Sequence, residues 1–282
     1  MALINTRTTA VSVLAQMSHK PGIKVGYEEL DAITFGVRPT ELVILAGRPG
    51  MGKSAAACDI VLHTCKSGIP LVFSLEMGQD ELVERLIVNL SGVSYQRCIR
   101  NTLQAAEKHK LMAAAAELSK YDILIEGASL QSPQGVERTL SGVIESGLSP
   151  SCVLIDHLNY MRSEDHVNDP YIEVTQITKY LKALAREYKL PFIVLAQLSR
   201  APEFRDDHRP ILSDLRDSGS IEQDADQVWF LYRPGYYEVH STSAYTEMIV
   251  AKNRNGATGV AKLNWNPHIM SFRAPISLND II

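Results

Sequence analysis

The chain is predicted to fold as an α/β protein: a mostly parallel central sheet, helices on both faces, and a C-terminal antiparallel extension. Three observations predict this. From about residue 40, short and nearly continuous apolar runs recur, each bounded by polar residues or by Gly and Pro. Strands buried on both faces of a parallel sheet read in this way. Between the runs lie stretches of helical periodicity, and that alternation is the mark of a doubly wound sheet. Toward the end the spacing shortens, and Asn255-Gly256 supplies a hairpin turn.

Taken in order, the buried runs are Leu42–Ala46, Leu71–Leu75, Ile123–Ile125, Val153–Ile155, Phe192–Ala196 and Val228–Leu231. In the helical stretch before the fifth run, Ile172, Ile177, Leu181, Leu184 and Tyr188 fall near one face. Lys179, Lys182, Arg186 and Glu187 lie mostly elsewhere. Residues 199–220, charged and carrying two prolines, read as a long mobile loop. Met248–Ala251, Val260–Trp265 and Ile269–Arg273 predict the late antiparallel meander. Residues 1–22 stand apart. Val11, Val13, Leu14 and Met17 could line one stripe of a short helix that Pro21-Gly22 ends. The segment is either a frayed terminus or an arm that docks on another subunit.

With 45% apolar and 21% charged residues among 282, the chain is not mostly disordered. No run approaches the ~18 uncharged apolar residues of a membrane span. The first twenty residues lack a signal peptide's apolar core, so a cytoplasmic protein is expected. Net charge is −4, so any nucleic-acid binding must come from a local site and not from a globally basic surface. Cys58, Cys65, Cys98 and Cys152 form no C-x-x-C pair and read as reduced thiols.

The strongest signal is Gly47-Arg48-Pro49-Gly50-Met51-Gly52-Lys53-Ser54, which matches G-x-x-x-x-G-K-[ST] between a strand and a helix that runs on through Ala55. Gly47 and Gly52 are expected to let the backbone curl so that its N–H groups face phosphates. The helix N-terminus adds partial positive charge. Lys53 would reach the β- and γ-phosphates and the Ser54 hydroxyl would bind Mg²⁺. A second metal-anchoring carboxylate is expected at a neighbouring strand's C-terminal edge, where Asp156 closes Val-Leu-Ile-Asp; the alternative is an acid capping a turn. Glu76 ends the second run and could polarise the attacking water, or be a surface acid. Gln197 ends the fifth run and could bond the γ-phosphate, or be a satisfied strand-end amide.

Several motifs in order then resemble one family: GRPGMGKS, VFSLEM, VLIDHLNYM, VLAQLSR, RPILSDLRDSGSIEQDAD and KNRNGATG. Together, over about residues 20–275, they resemble the ATPase domain of the bacterial and phage replicative DNA helicase DnaB family. The resemblance implies a RecA-like P-loop fold and a six-membered ring around single-stranded DNA, with ATP and Mg²⁺ held between subunits. It makes Lys53 and Ser54 the phosphate and Mg²⁺ residues, Asp156 the Walker B acid, Glu76 the catalytic glutamate and Gln197 the γ-phosphate sensor. Lys252 and Arg254 become the basic pair that reaches the neighbouring subunit's γ-phosphate. Arg216, Asp217 and Gly219 resemble residues that hold the DNA backbone, and Arg200, Arg205 and Arg209 could add Coulomb attraction. Residues 199–217 carry five acids against four arginines, so this loop is not a basic patch.

His157 and Asn159 stand where the family usually has Tyr and Gln, and His157 reads either as a core histidine or as a polar residue near the channel. The resemblance covers the motor and the end of the linker but not the family's N-terminal domain. Primase docking is therefore not expected from these residues alone; a homo-oligomeric, hexameric ring is expected, with a filament the alternative, and a helicase loader is a possible partner. Two other readings stay open: a RecA-like recombinase that forms filaments on single-stranded DNA, and a regulatory ATPase without unwinding activity.

Overall fold

The computed structural model describes residues 22–127, 131–164, 167–215, 218–238 and 243–273. Nine strands form one sheet in the order β3-β2-β4-β5-β1-β6-β7-β8-β9. The first six are β1 (Leu42–Gly47), β2 (Ile69–Ser74), β3 (Leu124–Glu126), β4 (Pro150–Asp156), β5 (Phe192–Gln197) and β6 (Gln227–Tyr232). All of their pairings are parallel. The last three, β7 (Tyr245–Asn253), β8 (Gly259–Asn266) and β9 (Ser271–Arg273), add on antiparallel. All six residues of β1 are buried, as its place between β5 and β6 requires. The expected meander is present, with β9 shorter than its apolar run.

The described helices are α1 (Glu28–Thr34), α2 (Lys53–Thr64), α3 (Gln79–Ser91), α4 (Tyr95–Ile99), α5 (Ala105–Leu118), α6 (Pro133–Glu145), α7 (Pro170–Glu187) and α8 (Ser218–Asp224). Local chemistry sets two of the starts. Ser132 accepts the Gly135 N–H at 2.8 Å and Asp169 accepts that of Tyr171 at 2.8 Å, each followed by Pro at the first helical position. Side chains alternate across β1 and build two cores. Val43 and Leu45 join α1, α2 and α3 on one face; Leu42, Ile44 and Ala46 join α6, α7 and α8 on the other.

Three expectations need correction. The 199–220 stretch is not one irregular loop: it contains 3₁₀ turns at Ala201–Phe204 and Leu212–Asp214, and α8 starts at Ser218. Its acids are the reason. Asp214 is fully buried, takes both ends of the Arg205 guanidinium and accepts the Ile211 N–H at 2.8 Å. Ile172 is 47% exposed because it lies in the first turn of α7, before that helix meets the sheet. Lys182, read as off the apolar face, is buried. Its ammonium pairs with Asp226 and donates to the Thr40 carbonyl at 2.7 Å.

Cys58, Cys65 and Cys152 are buried and all four cysteines are free. Among the described residues no helix is long and apolar enough to cross a membrane. Residues 1–21 lie outside the described residues, as do Arg216 and Asp217.

Candidate active site

Strand order gathers the site. Because β2, β4, β5 and β1 are consecutive in the sheet, Ser74 lies opposite Asp156 and Gly47 opposite Gln197. Residues from four distant parts of the chain thus share one carboxyl edge, where ligands of parallel sheets bind. In the phosphate loop, Gly50 and Gly52 have φ of 78° and 98°. A Cβ on Gly52 would meet the Phe272 ring at 2.7 Å, and one on Gly50 would meet Tyr236 at 3.1 Å. Gly47 has no such backbone requirement. It is the last residue of β1, and its need is for space, since a Cβ there would lie 3.2 Å from the Leu231 carbonyl oxygen. The curl therefore rests on Gly50 and Gly52.

Lys53 and Ser54 open α2, with Gly52 as its N-cap. The Lys53 ammonium donates to the Gly47 carbonyl at 3.1 Å. Burial pushes its pKa down, and the charges of Asp156 and Glu76 act against that shift. Met51 and Ala55 point into the core, so only their backbones can face a phosphate. Pro49 is exposed. Arg48 turns away from the loop: its guanidinium pairs with Glu203 at 2.5 Å and donates to the Leu198 carbonyl at 2.9 Å.

Asp156 is 3% exposed, and neither carboxylate oxygen has a hydrogen-bond partner. Burial pushes its pKa up to about 6, with Glu76 adding to the rise; Ser54 and Lys53 stand close enough to oppose it, though no well-aligned bond from the Ser54 hydroxyl reaches either oxygen. A buried carboxylate without partners is costly unless a cation or donor completes it. These oxygens beside Ser54 fit a Mg²⁺ ion. Among the described residues no group of three His, Cys, Asp or Glu could hold a metal. An ion here would need nucleotide phosphates as its remaining ligands.

Glu76 follows β2, and its backbone is tied to β4. The Leu75 and Glu76 N–H groups both donate to the Asp156 carbonyl, at 2.7 and 3.3 Å. Its half-exposed side chain comes within 3.4 Å of His157 Nε2. The Gln197 N–H donates to Asn159 Oδ1 at 3.4 Å.

Lys252 and Arg254 lie at the opposite edge of the sheet. The Lys252 ammonium donates to the Glu222 carbonyl, and the Arg254 guanidinium donates to that of Gln223, both at the C-terminal end of α8. Arg254 N–H donates to the Asp226 carbonyl at 2.9 Å, and Asp226 N–H to that of Leu42 at 2.8 Å. Arg254 is thus level with the first residue of β1, whereas the phosphate loop leaves from its last. At ~3.3 Å per residue the two ends of β1 are about 16 Å apart. Lys252, opposite Val228 and so level with Ile44, is about 10 Å from that end, and both side chains are held at the end of α8, away from their own chain's phosphate loop.

The arginines of the 199–215 segment differ. Arg200 is exposed. Arg205 is held by Asp214, and Arg209 pairs with Glu247 at 2.5 Å and lies over the Tyr232 ring. Gly219 is in α8. Of two neighbours of the site, His157 was left open by the sequence between a core and a channel role, and Arg233 escaped it. His157 faces Glu76, and Arg233 donates to the Gly50 carbonyl at 3.1 Å while lying over the Trp265 ring. No motif marks Arg233, which sits in an ordinary Arg-Pro-Gly turn.

The family model of the DnaB-like helicase C terminal domain matches residues 22–274. The chain belongs to this family. Among DnaB-like relatives, it is 34% identical over 256 residues to the replicative DNA helicase DnaB of Buchnera aphidicola subsp. Baizongia pistaciae, covering 89% of this chain and 55% of that protein. The chain therefore spans little more than half the length of that relative. One solved ATPase domain superposes with a TM-score of 0.90 at 32% identity, covering 98% of this chain and all of that one. A DnaB-like replicative helicase, solved in a study of its interactions with primase, gives 0.89 at 32% identity over 96% of this chain and 68% of that one. The fold is that of these RecA-like helicase ATPase domains.

Proposed function

We propose that the chain is the motor of an ATP-dependent, ring-forming DNA helicase that moves along single-stranded DNA and unwinds duplex during replication. The observation that carries this reading is the division of the site between opposite edges of the sheet. Lys53, Ser54, Asp156, Glu76 and Gln197 gather at the carboxyl edge, while Arg254 lies about 16 Å and Lys252 about 10 Å away along the strand direction. A complete site needs a second copy that brings its basic edge to the first copy's phosphate loop. Repeated around a ring, the same contact closes without a leftover edge.

In each site Lys53 and the Gly50–Gly52 backbone hold the phosphates. Ser54 and Asp156 would hold Mg²⁺, which would supply positive charge beside the phosphates. Glu76 orients the attacking water and accepts its proton. Arg254, with Lys252, reaches the neighbour's γ-phosphate and stabilises charge in the transition state. Gln197 bonds the γ-phosphate and links its loss to the segment that follows β5. DNA backbone is gripped through Arg216, Asp217 and Gly219, which suits a motor that must not read bases. Arg200 is the best placed of the preceding arginines to add attraction, because acids hold Arg205 and Arg209. Residues 1–22 serve as an arm onto the neighbouring subunit, and a loader is the expected further partner. The family match and the KNRNG block both argue against a recombinase.

The test is the rate of ATP hydrolysis against protein concentration, with and without single-stranded DNA. A rate that climbs faster than linearly and responds to DNA is expected. A linear, DNA-indifferent rate would exclude shared sites.

A further inference from the structure

Beside Glu76 lies a histidine with two differently occupied ring nitrogens. His157 Nδ1 accepts the Asn159 N–H at 3.2 Å, so in the neutral ring the proton sits on Nε2. Nε2 lies 3.4 Å from Glu76 Oε2, long for a hydrogen bond but within the reach of one that tightens around a substrate. The ring has little room to turn. It is 6% exposed, and Tyr160 packs against it with centroids 4.8 Å apart. Glu76, by contrast, projects a long and half-exposed side chain from the end of a strand. The same short turn also reaches the fifth strand, because Asn159 Oδ1 accepts the Gln197 N–H.

We infer that His157 is a positioning residue: its Nε2–H sets the direction of the Glu76 carboxylate, and the 157–159 turn holds Glu76 and Gln197 at a common distance from the γ-phosphate. This rests on the proposed role of Glu76 as the group that activates water. The fixed imidazole restricts which rotamers Glu76 can adopt. A displacement of about 1 Å at such a group can cost up to ~10²-fold in rate. In this role His157 acts on kcat through Glu76 and not through a contact of its own with phosphate or water.

Two substitutions separate this role from a purely structural one. His157→Gln keeps a donor near the position of Nε2 but loses the short-armed acceptor. His157→Asn keeps an acceptor near the position of Nδ1, able to take the Asn159 N–H, but has nothing that reaches Glu76. Steady-state ATP hydrolysis by the full chain with single-stranded DNA, together with thermal melting, provides the readout. His157→Asn is expected to lower kcat tenfold or more, with KM for ATP changed less than twofold. His157→Gln should stay within about threefold of the parent kcat. The reverse ranking, equal losses that follow the melting temperature, or a change confined to KM would overturn the proposal.

Glu76→Gln is the control on the underlying reading. If it hydrolyses ATP at the parent rate, the assignment of Glu76 itself fails. If it is inactive while His157→Asn is not, only the positioning role fails. Adding His157→Asn to Glu76→Gln should cause no further loss, and a full additional tenfold drop would show that His157 acts independently of Glu76.

Discussion

The two edges of the sheet both carry side chains assigned to the proposed site but hold them in opposite ways. At the carboxyl edge, Asp156 is buried with both oxygens unpartnered, and the Lys53 ammonium bonds only a carbonyl of its own loop. Under the proposed function that edge is where nucleotide phosphates and Mg²⁺ would bind. At the amino edge, Lys252 and Arg254 are occupied by the last carbonyls of α8, where cations are favoured by the orphaned groups of a helix end. Under the proposed function, the side chains assigned to phosphate and Mg²⁺ in their own chain include an unsatisfied buried acid, whereas those assigned to a neighbouring chain rest on local partners.

The comparison breaks most sharply at Arg254. Arg254→Ala is expected to lower turnover by ~10³-fold while nucleotide affinity, measured by titration, stays within a few-fold. Near-normal hydrolysis would sink the role in trans. Lys53→Ala acts at the other edge and on binding itself. Losing a charge-assisted contact of ~1.5–3 kcal/mol should weaken nucleotide affinity about tenfold to a hundredfold. An unchanged titration curve would contradict the phosphate role.

Asp156 tests whether the carboxyl edge really waits for a cation. Its folded pKa of about 6 lies above the ordinary 3.8, so its contribution to stability is fully present below about pH 4 and is lost as pH rises through 6. At pH 7 the buried charge therefore costs about 3 kcal/mol. Without nucleotide or divalent ion, Asp156→Asn should melt several degrees above the parent at pH 7.5. The gain should shrink toward pH 4.5. With Mg²⁺ and nucleotide present the order should reverse, because only the carboxylate binds the ion. A pH-independent difference would remove burial as the cause.

The smallest effect expected concerns Arg205. Its removal leaves the buried Asp214 short of a donor while Arg205 itself is partly exposed, at a cost on the order of 2 kcal/mol. Arg205→Ala should lower the melting temperature by a few degrees and change single-stranded DNA affinity less than twofold. A large loss of affinity with unchanged melting would return Arg205 to the DNA contacts.

Much of the carboxyl edge was legible because its signals are local. A strand run, a Gly-rich turn and a helix start are adjacent in sequence, and Asp156, Glu76 and Gln197 each announce themselves at the end of an apolar run. The glycine roles were legible only in part. Residue type indicates freedom, but the need at Gly52 comes from Phe272, which belongs to the last strand. Charge counting in residues 199–217 did show that the segment is not a basic patch. It could not show that Arg205 and Arg209 each have a particular acid, since Asp214 is buried and Glu247 comes from β7. Lys182 misled for the same reason: its partner, Asp226, lies just before β6.

Sequence alone determined the alternation of strands and helices, the phosphate loop and the acids at strand ends, because each depends on neighbours within a few residues. Only the tertiary structure decided that Glu76 faces His157, that Arg48 turns away from the loop, and that Arg254 sits too far along β1 to serve its own site. Those facts follow from strand order and register. These are set by packing between residues far apart in the chain, and no local pattern encodes them.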